Sequence, residues 1–342
     1  METPSSTTPT ATPFVPIAPE THSTTTETGP IDWRQFGPLA PYVARDGVTD
    51  IFVNGAQLWC DGDEGVQRLE GWSADERATR ELAVRLIGIG GRHVDEATPF
   101  IDVRLAGGVR VHAVLPPIST TGTLLSIRVP RRERLSLDDL VSAGSVSPAQ
   151  AAILRTAIAQ RLNLLVTGAA GAGKTTLLGA MLAEAPVHER IVLIEDVAEL
   201  RVSHPHVVGL QARQANLEGA GSVGLQQLVR EALRMRPDRL VLGECRGAEV
   251  QDLLSALNTG HDGGAGTLHA NSLADVPARL EALGALAGMS DRSIARLAVS
   301  AIGLVIHVAR LGSARRISGF GRFRADNRSR LHLDELRMPD AV

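Results

Sequence analysis

Residues 168–175 read Gly-Ala-Ala-Gly-Ala-Gly-Lys-Thr, an instance of G-x-x-x-x-G-K-[ST]. No other feature constrains the fold as strongly. The pattern needs an apolar strand leading into the loop and a helix leading out of it. Residues 162–167 and 175–184 have those characters. Downstream, apolar segments at 190–194, 207–211, 239–242, 265–269 and 304–309 alternate with helical patterns at 222–234, 248–258, 273–286 and 291–301. Strands alternating with helices predict a mainly parallel sheet, hence an α/β fold with the loop at the carboxyl ends of the strands.

The loop carries its own chemistry. Gly168, Ala169, Ala170, Gly171, Ala172 and Gly173 are small enough for backbone N–H groups to wrap a phosphate chain. Lys174 adds a compact positive charge, and Thr175 has a hydroxyl suited to Mg²⁺; Thr176 completes the first helical turn. ATP with Mg²⁺ is the ligand this pattern predicts. Composition agrees from an independent direction. Of 35 lysine and arginine residues, Lys174 is the only lysine. A general preference for arginine, as in a GC-rich genome, explains the others but not the exception. The planar arginine fork cannot replace a point charge inside a tight phosphate loop.

Two acids end strands on the same side. Glu195, followed by Asp196, lies just past 190–194, and Glu244 closes 239–242 through Gly243. A carboxylate there can orient or deprotonate an attacking water, or hold Mg²⁺ directly or through water. Residues 259–272 form a glycine-rich stretch with His261 and His269. A metal pair is the rival reading of these histidines, but no third ligand has zinc spacing. Nucleotide sensing is the reading adopted.

The rest of the chain divides by composition. Residues 1–30 are Thr/Ser/Pro-rich and predict a disordered tail. Residues 31–130 mix strand patterns at 50–55, 57–60, 66–69, 100–105, 109–115 and 124–129 with one helix, for which Ser73 and Glu76 suggest a capping box. That is a small α+β domain. Residues 131–147 read as a linker, and Ser147-Pro148 as the start of the α/β domain, taken to run over 148–311. Residues 312–342 read as an arginine-rich extension with a strand-like stretch at 317–323. A net charge of −3 and 3% aromatic residues argue against a dedicated nucleic-acid binder. No apolar run approaches the ~20 residues of a membrane span.

Residues 233–238 and 243–247 (Leu-Arg-Met-Arg-Pro-Asp and Gly-Glu-Cys-Arg-Gly) resemble the Walker B region of the type II/type IV secretion ATPases. Glu195 falls in what looks like their Asp box, and 259–272 resembles their His box. Residues 48–55, 107–117 and 126–128 extend the likeness into the first domain. The pattern is most similar to the TadA/CpaF-type branch, which serves tight-adherence (Flp) pili, and is related to the VirB11-like conjugation ATPases. The composition is actinobacterial-looking. The resemblance implies a RecA-like P-loop NTPase domain behind the α+β domain, a homohexameric ring, and a cytoplasmic position on the inner face of the cell membrane. It also implies inner-membrane platform proteins as partners, without direct nucleic-acid binding.

Within the site, the resemblance implies that Arg110 and Arg128 reach the γ-phosphate, that Glu195 and Glu244 position Mg²⁺ and the water, and that His269 senses the γ-phosphate with support from His261. A conjugal DNA-transfer ATPase, a nucleotide-dependent scaffold and a RecA-type nucleic-acid motor are the alternatives. Two departures stand out: the tetracysteine module of some relatives is absent, and Gly266 replaces a common hydroxyl residue.

Overall fold

The computed structural model describes residues 31–62, 65–130, 134–213, 221–312 and 314–336. The expected disordered tail and residues 131–133 of the expected linker lie outside the described residues.

The first unit is an antiparallel sheet backed by helix. A 3₁₀ segment at Trp33–Leu39 and the short α1 (Ala40–Val43) precede β1 (Asp50–Asn54), β2 (Gln57–Asp61) and β3 (Gln67–Arg68). Then come α2 (Glu76–Ile89), β4 (Phe100–Arg104), β5 (Arg110–Val114) and β6 (Leu124–Arg128). The strand order is β3-β2-β1-β6-β5-β4. Alternation sorts the side chains. Ile51, Val53, Val111, Ala113, Leu125 and Ile127 face α2, where they meet Leu82, Leu86 and Ile87. The same alternation puts Arg110 and Arg128 opposite one another in the β5–β6 register on the other face, with Asp50 across from Arg128.

The start of α2 departs from expectation. Asp75, not Ser73, is the cap, and its carboxylate accepts from the Ala78 N–H at 2.7 Å. Glu76 leaves the helix end altogether and accepts from the Thr123 N–H and hydroxyl at 2.7 and 2.6 Å. Its carboxylate is thereby tied to the turn before β6 and cannot close a box with Ser73.

After α3 (Leu137–Ser142), the helix α4 (Pro148–Ala159) begins as its sequence predicts, with a Ser147–Gln150 capping box and proline in the first turn. The second unit follows as β7 (Leu164–Gly168), α5 (Lys174–Leu182), β8 (Ile191–Glu195), β9 (Val207–Gln211), α6 (Leu225–Leu233) and β10 (Arg239–Cys245). It continues with α7 (Glu249–Leu257), β11 (Ala265–His269), α8 (Val276–Leu286), α9 (Asp291–Ala301), β12 (Leu304–Leu311), β13 (Ala314–Ala325) and β14 (Leu331–Leu336). The sheet runs β14-β13-β12-β7-β11-β10-β8-β9, parallel from β12 to β9. Both faces are covered, so β7 and β8 are buried throughout and mostly apolar, with Thr167 and Glu195 near their carboxyl ends. Leu154, Leu178 and Met181 pack one face, and Val229, Leu253, Leu280 and Ile294 the other.

The expected C-terminal extension is not separate from this sheet. β13 and β14 add to its edge as antiparallel strands, and Ile317, Phe320 and Phe323 enter the two cores. A register shift opposite His307 and Val308 carries the apolar phase from Ile317 to Phe320.

At the amino ends of the parallel strands, Arg239 is fully buried. Its Nε donates to Glu189 Oε2 at 2.5 Å, Nη2 to the Ile158 carbonyl at 2.9 Å and Nη1 to the Gly263 carbonyl at 3.2 Å. Glu189 also accepts from Arg161 Nη1 at 2.5 Å. This cluster joins the end of α4, the entry to β10 and the turn before β11.

Candidate nucleotide site

The phosphate loop runs from the end of β7 into α5. Gly168, Gly171 and Gly173 have φ of +152°, +68° and +97°. At Gly168 a Cβ would stand 2.3 Å from the Val308 carbonyl oxygen of β12, so only glycine fits. Gly173 caps α5 in the left-handed region. The first-turn N–H groups of α5, including those of Thr175 and Thr176, have no acceptor earlier in the helix and lie beside the loop. Thr175 is half-buried and Thr176 exposed. Lys174 is buried, and its Nζ donates to the carbonyls of Gly168 at 3.0 Å and Ala169 at 2.9 Å. Burial lowers its pKa, and the Glu244 carboxylate partly offsets that effect. An ammonium held by two backbone carbonyls, beside a helix N-terminus, fits a phosphate chain.

From Lys174 a line of polar contacts crosses the carboxyl ends of four adjacent strands. His269, the last residue of β11, has Nδ1 3.5 Å from Lys174 Nζ and Nε2 2.6 Å from Glu244 Oε1. Burial lowers the His269 pKa, and the Lys174 charge lowers it further. Nδ1 of a neutral ring can accept from Lys174, whereas Nε2 lies close to Glu244 Oε1 without hydrogen-bonding it, so that Oε1 is a buried oxygen with no hydrogen-bond partner among the described residues. Glu244 Oε2 accepts from Arg246 Nε at 2.7 Å, with Nη2 2.6 Å away. Arg246 Nη1 is 3.5 Å from Asp196, just past β8. Lys174, His269 and Glu244, expected together, are together.

Glu195 is placed differently. It is 5% exposed, and its Oε1 accepts the N–H groups of Glu199 at 2.9 Å and Leu200 at 2.8 Å. Burial pushes its pKa up to about 6 against those N–H bonds. A Cβ on Gly243 would lie 2.6 Å from Glu195 Cγ, which accounts for the Gly-Glu pair at the end of β10. Both of the N–H bonds go to Oε1, so the expected role of Glu195 in holding Mg²⁺ or water rests on Oε2, which has no hydrogen-bond partner among the described residues.

His261 is not part of the site. Its Nδ1 lies 3.2 Å from the Ala256 carbonyl at the end of α7. It precedes β11, whereas His269 ends it. The five extended residues of β11 (Ala265–His269) span about 13 Å at ~3.3 Å per residue and carry His269 away from the end of the strand at which His261 lies.

Arg110 and Arg128 lie on the face of the first sheet that meets the segment after Glu195. Arg110 Nε donates to both oxygens of Asp102, at 2.7 and 2.8 Å. Arg128 Nη1 is 3.4 Å from Glu199. Three further arginines, which the sequence did not single out, make contacts here. Arg104 donates to Gln211 Oε1 at 2.7 Å and to the Ala198 carbonyl. Arg201 donates to the Gly107 carbonyl at 3.1 Å. Arg315 of β13 donates to the Gly171 carbonyl of the phosphate loop at 3.0 Å. Arg104 shares its face with Arg110 through strand alternation. Nothing local marks Arg315, which is brought to the loop only by the β12–β13 pairing.

Residues 36–318 match the model of a family described as Type II/IV secretion system protein. A Mycobacterium tuberculosis (strain H37Rv) protein named as a candidate conjugal transfer protein is 51% identical over 287 residues, 82% of each chain. The Bordetella pertussis type IV secretion system protein PtlH is 35% identical over 260 residues, covering 68% of this chain and 76% of its own. Among solved structures, the pilus retraction motor PilT with bound ADP superposes with a TM-score of 0.58 at 21% identity, over 82% of this chain and 80% of that one. The Legionella pneumophila ATPase DotB gives 0.55 at 18%, over 88% and 80%. At these identities the two structures attest the fold.

Proposed function

The chain belongs to the type II/IV secretion system protein family and is a secretion ATPase, and we propose that it is a Mg²⁺-dependent motor whose hydrolytic centre is Lys174, Thr175, Glu244 and His269. The observation that carries this reading is the line of contacts from Lys174 through His269 to Glu244. Lys174 and the backbone of 168–173 would hold the phosphates, and Thr175 with Glu244 would hold Mg²⁺, partly through water. The metal supplies charge neutralisation on the phosphate oxygens. Glu244 orients the attacking water and takes its proton.

In the structure Glu244 Oε2 is held by Arg246, whereas Oε1, 2.6 Å from His269 Nε2, is buried without a hydrogen-bond partner among the described residues. Oε1 is thus the oxygen through which Glu244 would take the proton. His269 sits where it can link that step to phosphate binding. When Lys174 turns from the loop carbonyls to a phosphate, the contact at His269 Nδ1 changes, and so does the position of the ring against Glu244 Oε1. Arg110 and Arg128 would complete the site from the first sheet as the two units close, and closure is the motion that does work.

The setting proposed is a homohexamer on the cytoplasmic face of the membrane, pushing a membrane platform of a tight-adherence pilus or a type II-like or type IV secretion system. None of the described helices is long and apolar enough to cross a membrane itself. Relatives named for conjugal transfer favour a DNA-transfer system as the second reading, with the same enzyme and a different cargo.

Arg128→Ala tests closure. Its kcat is expected to fall at least about tenfold while nucleotide affinity changes less than about threefold, because a charge that meets only the transition state leaves ground-state binding alone. Phosphate release and equilibrium nucleotide binding on the same samples check this. An unchanged kcat would remove Arg128 from the site.

A further inference from the structure

Among the described residues His307 is the only buried histidine, 4% exposed. It lies in β12 opposite its register partner Thr167 of β7, the residue before the phosphate loop. Leu165 and Val305, two residues earlier in each strand, enter the core against α7, α8 and α9. Alternation turns Thr167 and His307 to that same face, at its carboxyl end. Ala270 and Val276, at the two ends of the connection from β11 to α8, close the same core. The ring has a partner on each side. Nδ1 is 2.8 Å from Thr167 Oγ1. A second hydrogen bond joins the ring to the main chain of Asn271, and because it favours the protonated ring, the ring is the donor and the carbonyl the acceptor. A neutral imidazole satisfies both, with Nε2–H donating to Asn271 and Nδ1 accepting from the Thr167 hydroxyl. Burial lowers the His307 pKa and so favours that neutral form.

We infer that His307 is a positioning residue of the hydrolytic centre: it ties Asn271, two residues past His269, to Thr167 at the root of the phosphate loop, and so sets His269 against Lys174 and Glu244. The inference rests on the ATPase reading above. Past His269 the chain makes one more bond to β7, from the Ala270 N–H to the Gly168 carbonyl at 3.3 Å, and then leaves the sheet. Asn271 and Ser272 are exposed. The His307 ring holds the main chain where strand pairing stops. β12 itself is built around this point. β13 carries an extra residue opposite it, Ser318, whose hydroxyl donates to the His307 carbonyl at 3.2 Å. The next carbonyl, that of Val308, is the group that leaves room only for glycine at 168. A shift of about 1 Å in a group that meets the reacting atoms can cost up to about a hundredfold in rate, so a tie at this distance from His269 matters to turnover.

Glutamine and asparagine divide the ring between them. The amide nitrogen of a glutamine falls near Nε2 and that of an asparagine near Nδ1, so His307→Gln can keep the bond to Asn271 and His307→Asn cannot reach it. His307→Asn is expected to lower kcat at least about tenfold with nucleotide affinity within about threefold, and His307→Gln to stay within about threefold of wild type in both. Because the effect runs through His269, adding His307→Asn to His269→Ala is expected to cost less than about twofold further. Hydrogen exchange of the Ala270 amide is expected to quicken at least about tenfold in His307→Asn and to stay near wild type in His307→Gln.

Undiminished turnover in His307→Asn, equal losses in the two variants, or a full further loss on top of His269→Ala would overturn the inference. Unaltered Ala270 exchange in a folded His307→Asn would overturn it too. A wild-type chain without any turnover would instead sink the ATPase reading, and the exchange measurements would still decide whether His307 holds the segment past His269.

Discussion

Glu244→Gln is expected to lower kcat by about 10²–10⁴-fold, the range of a lost general base, while nucleotide affinity stays within a few-fold. Glutamine has the shape of glutamate, so β10 and its packing are preserved. The lost property is the negative charge. In the wild type that charge is paired with Arg246 at 2.6–2.7 Å through Oε2, while Oε1, beside His269, has no hydrogen-bond partner among the described residues and is placed to take the proton of the water. A neutral amide cannot accept that proton. Arg246 is more than half exposed, so its lost pairing costs little in stability. Single-turnover phosphate release, run beside nucleotide binding, separates chemistry from affinity. A variant that turns over within about tenfold of wild type would move the base elsewhere.

The second large effect is on stability. Glu189→Ala is expected to cost about 3–5 kcal/mol, because it strands a buried guanidinium without its counter-charge. Arg239 has no exposure to water, and Glu189 is its only carboxylate partner among the described contacts. The carbonyls of Gly263 and Ile158 accept one hydrogen bond each from Nη1 and Nη2 but do not neutralise its charge. Asp291→Ala is the matched control. It removes an ion pair with Arg330 in which both side chains are more than half exposed, and it should cost under about 1 kcal/mol. Denaturant midpoints of the two variants check the difference. A cost below about 1 kcal/mol for Glu189→Ala would mean that water reaches Arg239 in the folded chain.

The parts of the fold that were legible in the sequence are those with a strict local rule. The phosphate loop demands a strand before it and a helix after it, and β7 and α5 are there. Parallel strands buried on both faces are apolar along most of their length, so β8, β10, β11 and β12 were visible as short apolar runs with polar residues mainly at their ends. The rule weakens where glycine and a register shift break the period of two, as at Gly319 and Gly321, and so β13 and β14 looked like an appendage to the sheet they complete.

The site was legible to the same degree. Lys174 begins the helix after the phosphate loop, and Glu244 and His269 lie at the carboxyl ends of β10 and β11, positions that can be read from sequence. Whether a carboxylate at such an end faces the loop cannot, because the partners of Glu195 are backbone N–H groups of residues 199 and 200. His261 shares a glycine-rich run with His269, yet β11 carries one away from the other. Arg104, Arg201 and Arg315 reach carbonyls 94, 94 and 144 residues distant, and in an arginine-rich chain nothing local marks them.

The central claim is that this chain hydrolyses ATP at the loop holding its single lysine. Phosphate release from Mg²⁺·ATP by the purified chain, wild type against Lys174→Ala, tests it most directly. Steady turnover that stops on chelating Mg²⁺ and falls at least about a hundredfold in Lys174→Ala is the predicted result, since the ammonium acts where charge develops on the phosphates. Equal turnover by the two proteins would contradict the account.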